Sequence, residues 1–273
     1  MNQSGTAASM GTRDRVTLPP VARAAIEAEL GEIRRVEAVA SGLNSTFAAV
    51  VHTLDAAVFV KGMPSDHRGI RGQHREAAFA PYLTGIAPPL RWHLDVAGWD
   101  LLGFDYLPGR AADLSPGSRD LASVARTLAR LSELEPPDLS LPRIEQRWTG
   151  LADDTDLALL AGDHLLHTDL NPNNILISDG RAWLVDWAWP TLGAAWIDPA
   201  CAALWLIAEG HTPAAAEAWA STLPSWSHVP ANGLNTFVGV NIRLWTQIAD
   251  NDPQPWKLEI RNAANQWLTH RSS

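Results

Sequence analysis

A polar stretch between two short apolar runs constrains this chain more than any other part of its sequence. Residues 167–174 read His-Thr-Asp-Leu-Asn-Pro-Asn-Asn, with Leu165 and Leu166 before them and Ile175 to Ile177 after them. Apolar runs of this length on either side of a segment rich in Asn and Pro predict two strands joined by a loop. A polar loop held by a rigid scaffold is a common position for functional groups.

The spacing inside this loop matches that of phosphoryl-transfer loops. His167 precedes Asp169 by two positions, and Asn174 follows Asp169 by five. In such loops the Asp accepts the proton of an attacking hydroxyl and the Asn amide oxygen helps to hold Mg²⁺. Three residues at fixed positions arise by chance in about one chain in a hundred of this length. There are two alternatives: an ordinary turn rich in Asn, Asp and Pro, or a metal site formed by His164, His167 and Asp169. The phosphoryl-transfer interpretation therefore needs partner residues elsewhere in the chain.

The composition predicts a globular protein. Of the 273 residues, 46% are hydrophobic and 19% are charged, which suits one large domain or two lobes. No apolar run reaches the roughly eighteen residues of a membrane span, and the single Cys201 excludes an internal disulfide, as in a cytoplasmic protein. The net charge of −9 argues against nucleic acid as a partner and either favours cationic partners or merely aids solubility. Residues 1–17 are predicted to form a flexible tail.

Hydrophobic periodicity divides the chain near Pro108-Gly109. Before this break the pattern predicts a small sheet with one inserted helix, with strands at 33–40, 47–54, 57–61, 90–94 and 101–106 and helices at 21–30 and 66–80. After it the pattern is mostly helical, with helices at 120–134, 198–210, 213–222, 232–250 and 255–270 and strands at 175–177 and 182–185.

Lysine is rare in this chain, and one lysine stands at the end of a predicted strand. Only two of the 21 Lys and Arg residues are Lys, namely Lys61 and Lys257. Lys61 follows Phe59 by two positions, so both side chains are expected on the same face of the strand. A buried Lys needs a counter-charge, and Glu76, well inside the next predicted helix, is a better partner than Asp66 at its start. The alternative is a lysine on an edge strand and a solvated glutamate.

A carboxylate ends the strand that follows the polar loop. Asp186 comes directly after Trp183-Leu184-Val185 and twelve residues after Asn174. A carboxylate at the tip of a buried strand is desolvated unless it is paired, and Mg²⁺ is a natural partner. The alternative is an Asp that caps the next turn.

A turn of small residues joins the first two predicted strands. It contains Ser41, Gly42, Asn44 and Ser45. Such a turn can present backbone N–H groups to phosphate oxygens, although an ordinary hairpin turn has the same composition.

Taken in chain order, these features resemble the aminoglycoside phosphotransferase family of small-molecule kinases over about residues 32–206. HTDLNPNNIL is similar to the family's H-G-D-L-H-x-x-N-[IVL]-[IVL], and LVDWAWP resembles its strand that ends in Asp before an aromatic residue. LGFDYLPG, from Leu102 to Gly109, looks like the hinge between its lobes, and IDPA, at Ile197 to Ala200, looks like its G-D-P-A element.

The resemblance implies an α+β fold of the protein-kinase-like, two-lobed type. The expected N-lobe, residues 18–106, is a small antiparallel sheet with one helix and binds the nucleotide. The expected C-lobe, residues 107–273, is mostly helical and carries the catalytic loop and the substrate-binding helices.

The resemblance also implies a role for each polar residue near the loop. Asp169 would be the catalytic base, and Asn174 and Asp186 would hold Mg²⁺. His167 would brace the loop, and Asp198 would be a structural anchor at a helix start, where a carboxylate caps free N–H groups.

For the nucleotide, Lys61 paired with Glu76 would contact the α- and β-phosphates, and Phe59 would stack on the base. The small-residue turn would contact the phosphates. The backbone of the hinge would hydrogen-bond the base, at Asp105, Tyr106 and Leu107.

The implied reaction is transfer of the γ-phosphoryl group of ATP, or alternatively of GTP, to a hydroxyl of a small, amino-bearing and cationic molecule. An aminoglycoside or related antibiotic is the leading candidate for this acceptor. Thr168, Asn171 and Asn173 depart from the family's Gly, His and Gly, which leaves the acceptor class open. A metabolic kinase acting on a sugar or amino alcohol and a non-catalytic nucleotide-binding module are the alternatives. Trp187 and Trp189 are expected either in the core or, for one of them, in the acceptor pocket.

Overall fold

The computed structural model describes residues 20–39 and 46–273, and their first part forms a five-stranded antiparallel sheet in the order β1-β2-β3-β5-β4. Helix α1 precedes the sheet, and helix α2 is inserted between β3 and β4. The bounds are α1 Pro20–Leu30, β1 Arg35–Ala38, β2 Phe47–His52, β3 Ala57–Pro64, α2 Ile70–Phe79, β4 Leu90–Val96 and β5 Trp99–Asp105.

Each face of this sheet is covered by one helix, because side chains alternate between the faces along a strand. On one face, Ala22 and Ile26 of α1 pack against buried aliphatic residues of the sheet: Val51, Val58, Val60 and Leu101. On the other face, Ala77 of α2 packs against Leu102 and Phe104 of β5. Gly31 ends α1 with a φ of +83°, where its N–H donates to Glu27.

The second part of the chain is mostly helical and also contains two small antiparallel sheets, β6-β8-β9 and β7-β10. Its helices are α3 Leu121–Ser132, α4 Ile144–Arg147, α5 Asp154–Leu157, α6 Ile197–Ala208, α7 Pro213–Ala220, α8 Ala231–Asn251 and α9 Pro255–Arg271. Its strands are β6 Arg110–Ala111, β7 His164–Leu166, β8 Ile175–Ser178, β9 Arg181–Leu184 and β10 Thr191–Gly193. Most residues of α6 are buried, so α6 forms the centre of the large core that α8 and α9 complete.

The predicted fold class, a small antiparallel sheet followed by a mostly helical lobe, is confirmed. The predicted helix at 66–80 begins only at Ile70, because residues 64–69 form turns in which His67 N–H donates to Pro64. None of the helices in the described ranges is both long and apolar enough to cross a membrane. The predicted tail at 1–17 and the predicted phosphate-contacting turn of Ser41, Gly42, Asn44 and Ser45 lie outside the described residues.

Candidate active site

The loop that follows β7 is held by the backbone and side chain of His167, which is buried. The Nε2 atom of His167 lies 2.9 Å from the carbonyl oxygen of Val185, and its Nδ1 accepts a hydrogen bond from the Asp169 N–H at 3.2 Å. Because a carbonyl only accepts, Nε2 is the donor to Val185, whereas Nδ1 is the acceptor from the Asp169 N–H. The ring therefore ties the loop to the segment before Asp186.

Asp198 anchors the same loop from α6. Its buried carboxylate accepts hydrogen bonds from the backbone N–H groups of His167 and Thr168, each at 2.8 Å. Burial raises the pKa of Asp198, although the N–H of His167 partly offsets this effect. From the sequence, the capped N–H groups were expected at a helix start. The N–H groups that donate to Asp198 belong to the loop instead. The reason is that Asp198 lies inside the first turn of α6, after the N-cap residue Trp196, and faces the loop.

Asp169 and Asn174 are fixed relative to each other by the loop itself. The Asn174 side-chain nitrogen donates to the Asp169 carbonyl at 3.0 Å, so Asn174 offers its amide oxygen, not its nitrogen, to a cation. The exposed Asp169 carboxylate accepts from the Asn171 side chain at 3.0 Å, and Asn171 in turn accepts from Asn173 N–H at 2.9 Å. The two Asn residues that depart from the family pattern therefore build the turn.

Thr168 adopts a left-handed backbone conformation, with a φ of +68°. A β-branched residue rarely adopts this conformation, and the strain costs about 1–3 kcal/mol. The hydrogen bond to Asp198 and a hydrogen bond of 2.9 Å from Arg147 to the Thr168 hydroxyl hold it in place. The left-handed φ explains why a glycine stands here in the family pattern, and the hydroxyl gives Arg147 a partner that glycine would lack.

Asp186 lies beside Asn174, because Val185 N–H donates to the Asn174 carbonyl at 2.9 Å. The Asp186 backbone is also left-handed, with a φ of +64°, and its Oδ1 lies 3.4 Å from the Lys61 Nζ. The Asp186 carboxylate and the Asn174 amide oxygen come from these two adjacent segments. Together they are a donor set that fits Mg²⁺, which prefers oxygen ligands and completes its shell with water and phosphate.

Lys61 and Glu76 form a buried ion pair between β3 and α2. Burial alone lowers the pKa of Lys61, but the carboxylates of Glu76 and Asp186 outweigh it and raise that pKa. Burial raises the pKa of Glu76, and the charge of Lys61 opposes this shift. Lys61 is therefore a fixed cation that points at Asp186. The structure brings Lys61 and Glu76 together as predicted from the sequence, whereas the contact with Asp186 was not predicted.

Replacing Glu76 with Gln should lower the free energy of unfolding by about 2–4 kcal/mol, because removing one partner leaves Lys61 with a buried charge that Asp186 only partly compensates. Chemical denaturation of the purified protein measures this loss. Glu27→Gln is the matched control, because the Arg23–Glu27 pair of α1 is largely exposed and should contribute less than about 1 kcal/mol. Equal losses in both variants would contradict a structural role for the buried pair.

The tryptophans after Asp186 divide between the core and the surface. Trp187 is buried, its backbone N–H donates to Glu76, and its ring lies against the rings of Phe79 and His167, with centroids 6.4 and 4.5 Å away. Trp187 therefore connects the Lys61–Glu76 ion pair to His167, which holds the loop. Trp189 is 50% exposed and is the tryptophan that lines the cavity next to Asp186.

The predicted base-binding face lies on β3 and β5. Phe59 and Lys61 share this face, and Phe59 packs against Leu102 and Phe104. The Lys61 Nζ lies 5.9 Å from the centre of the Phe104 ring, a contact that the sequence analysis missed although the alternation along β5 indicates it. The face is thus an apolar surface with a cation at one end.

The predicted base-binding residues of the hinge begin at the last residue of β5. Asp105 N–H donates to the Pro89 carbonyl at 2.8 Å, so Asp105 offers a nucleotide base only its carbonyl oxygen. The physical reason is that the chain before β4 already pairs with this end of β5. Tyr106 and Leu107 follow β5 as half-buried residues outside any strand, and they are the remaining candidates for a donor to the base.

A cavity of about 370 Å³ opens beside Lys61 and Asp186, and its lining is basic. Besides these two residues it is lined by Thr46, Met63, His67, Arg68, Gly69, Arg71, Gly72, Gln73, Arg75, Glu76, Ala188 and Trp189. Arg75 lies over the Trp189 ring at 4.4 Å, and Arg147 lies 5.4 Å from the same ring. Burial and the neighbouring charge of Arg71 lower the pKa of Arg75. Neither Arg75 nor Arg147 was predicted from the sequence, because nothing in the local sequence of either sets it apart from a solvated residue.

The two lobes and the cleft between them define a protein-kinase-like fold. No family model matches the sequence, and no curated protein matches it either. Solved structures do match across almost the whole chain, and they are small-molecule kinases of this fold.

Choline kinase LicA from Streptococcus pneumoniae is 15% identical, with a TM-score of 0.60 over 91% of this chain and 99% of that chain. Aminoglycoside phosphotransferase APH(4)-Ia is 12% identical, with a TM-score of 0.60 over 90% of this chain and 98% of that chain. A putative fructosamine-3-kinase from Haemophilus somnus 129PT is 15% identical, with a TM-score of 0.61 over 91% of this chain and 97% of that chain. The chain shares the fold of these kinases.

Proposed function

We propose that this chain is a Mg²⁺-dependent phosphotransferase that moves the γ-phosphoryl group of ATP to a hydroxyl group of a small molecule. The observation that carries the proposal is the convergence of Lys61, Asn174 and Asp186 next to the loop that presents Asp169. Kinase-like phosphoryl transfer depends on positioning and on neutralisation of charge, and these residue types supply both.

Each residue has a defined task in this reaction. Lys61 would contact the nucleotide phosphates, and Asn174 and Asp186 would hold Mg²⁺, which neutralises phosphate charge when bound. Asp169 would orient the acceptor hydroxyl and accept its proton while the new P–O bond forms and the bond to ADP breaks. Glu76 would keep Lys61 extended, and His167 and Asp198 would keep the loop rigid.

The nucleotide is the best supported of the predicted ligands. The related solved structures include complexes with ADP, AMP and AMP-PNP. ATP is therefore the donor that we test first, with GTP as the alternative. In this chain the apolar face around Phe59 and Phe104 offers a surface for the base beside Lys61.

An aminoglycoside or a related amino-bearing antibiotic is the acceptor class that the sequence resemblance favours, and its phosphorylation would confer resistance. A solved relative is described as a complex with hygromycin B. The charges around Trp189 favour a second candidate, a metabolic acceptor that carries a carboxylate or phosphate group. A cationic acceptor in this cavity would meet the guanidinium group of Arg75, with that of Arg147 against the same Trp189 ring, and like charges at an interface are unfavourable.

Arg75→Gln separates these candidates. If the acceptor is anionic, its KM should rise about tenfold, because the variant loses one charge-assisted hydrogen bond to the acceptor. The KM for ATP should stay within about twofold of wild type. Arg181→Gln is the matched control, because Arg181 also lies over a tryptophan, Trp183, but outside the cavity lining. An acceptor KM that falls in Arg75→Gln would instead support a cationic acceptor, and a selective rise in the KM for ATP would assign Arg75 to the nucleotide.

A panel of acceptors tests the function itself. Purified protein with ATP and Mg²⁺ is offered aminoglycosides, amino alcohols, sugars and acidic metabolites, and ADP release is followed together with mass spectrometry of the acceptors. Release of ADP coupled to phosphorylation of one class supports the proposal and names the acceptor. Binding of ATP and Mg²⁺ without transfer to any acceptor would support the non-catalytic nucleotide-binding module instead.

A further inference from the structure

Two histidines and one aspartate converge on the sheet face that α2 covers, and none of them is assigned to the reaction. His74 belongs to α2, His93 to β4 and Asp100 to β5. The Nε2 atoms of His74 and His93 lie 2.9 and 2.6 Å from the same oxygen, Oδ2 of Asp100. The three potential ligand atoms lie within 4.8 Å of one another.

The burial of the three side chains is unequal in a way that suits a metal site. The Asp100 side chain is 1% exposed, whereas those of His74 and His93 are 54% and 37% exposed. Gln73 donates its side-chain amide to Oδ1 and to the main-chain carbonyl of Asp100. Asp100 is thus oriented by a neighbouring hydrogen bond, as metal-ligating carboxylates usually are, and leaves Oδ2 to the histidines.

We infer that His74, His93 and Asp100 form a binding site for a transition-metal ion of the zinc type. Two imidazole nitrogens and one carboxylate oxygen, with an open side towards water, are a donor set that Zn²⁺ accepts and that Mg²⁺ does not prefer. Metal–ligand distances of about 2.1 Å require each histidine to move outward by about half an ångström, which their exposed side chains permit. On binding, each ring coordinates through Nε2 and carries its proton on Nδ1.

The site would fasten α2 to the sheet at a second place. The first place is the Lys61–Glu76 ion pair, and Glu76 follows His74 by two residues on the same helix. A metal shared by α2, β4 and β5 would therefore resist displacement of the helix that carries Glu76. The metal site is independent of the proposed reaction, because neither histidine is among the residues assigned to nucleotide or acceptor.

The test is titration of tag-free, chelator-stripped protein with Zn²⁺ in excess Mg²⁺, followed by calorimetry, and with Co²⁺, followed by visible absorption. We expect one equivalent to bind with saturation, and a rise in melting temperature of about 5 °C at a hundredfold excess over the Kd. His74→Gln and His93→Gln should each weaken binding at least about tenfold, because each removes one of three protein ligands. His270→Gln, an exposed histidine of α9, should bind as wild type does.

Melting curves in chelator show whether the variants fold, and the exposure of both histidines predicts that they do. The inference is overturned if the wild-type protein does not bind one equivalent of Zn²⁺ saturably. The cluster would then be only two hydrogen-bonded contacts between the histidines and Asp100. It is also overturned if both histidine variants bind Zn²⁺ as tightly as wild type, since the metal then lies elsewhere, such as at Asn174 and Asp186.

Discussion

Asp169→Asn should reduce kcat for phosphoryl transfer by about 10²–10⁴-fold, the usual contribution of a general base. The KM for ATP should change by less than about threefold, because Asp169 is assigned to the acceptor hydroxyl and not to the nucleotide. The loop itself should survive. Asn keeps the oxygen that accepts from Asn171, and the backbone contacts of Asp169 with His167 and Asn174 do not involve its side chain.

The matched control is Asp163→Asn, which removes an exposed carboxylate just before β7 that pairs with Arg143. This control should leave kcat within about twofold of wild type, because an exposed ion pair contributes little. If Asp169→Asn kept turnover within a few-fold of wild type, Asp169 would not be the base.

Asp186→Asn should abolish Mg²⁺-dependent binding of ATP or weaken it by about 10²-fold or more, because a neutral amide replaces the only carboxylate of the proposed metal pair. It also removes one of the two carboxylates near Lys61, so that Glu76 alone compensates the charge of Lys61. Calorimetry of AMP-PNP binding with and without Mg²⁺ measures the effect. Mg²⁺ should change the affinity for AMP-PNP strongly in wild type and hardly at all in Asp186→Asn.

Asp179→Asn provides the control within the same hairpin. Asp179 lies in the turn between β8 and β9 with a φ of +48°, a conformation that Asn tolerates as well as Asp does. It should bind AMP-PNP and Mg²⁺ as wild type does. A Mg²⁺ effect that persists in Asp186→Asn would remove Asp186 from the metal site.

Much of the fold follows from local sequence. Alternation along β3 places Lys61 and Phe59 on one face, and the i, i+3, i+4 pattern predicts α3 and the long C-terminal helices. The paired position of Glu76 was predictable because few acidic residues follow Lys61 before β4. Helices α4 and α5 were not predicted, because elements of four residues depend on tertiary contacts and have no periodicity to detect.

The parts of the site that the sequence did not reveal are those assembled from distant positions. Arg75 and Arg147 meet around Trp189 only because α2 and α4 approach the segment after Asp186. Asp198, which the family resemblance marks as an anchor at a helix start, supports the loop from 30 residues away instead, and no local pattern specifies that partner. The polar residues with the clearest spacing, in the loop itself, were found first because one turn holds them together.

We propose that this cleft transfers a phosphoryl group to a small hydroxyl-bearing molecule and uses Asp169 to do so. The most direct test follows the γ-phosphoryl group of labelled ATP across the acceptor panel for wild type, Asp163→Asn and Asp169→Asn. We predict Mg²⁺-dependent labelling of one acceptor class by wild type and Asp163→Asn, and at least about 10²-fold slower labelling by Asp169→Asn. Equal labelling by all three proteins, or no labelled acceptor from wild-type protein that binds ATP and Mg²⁺, would contradict it.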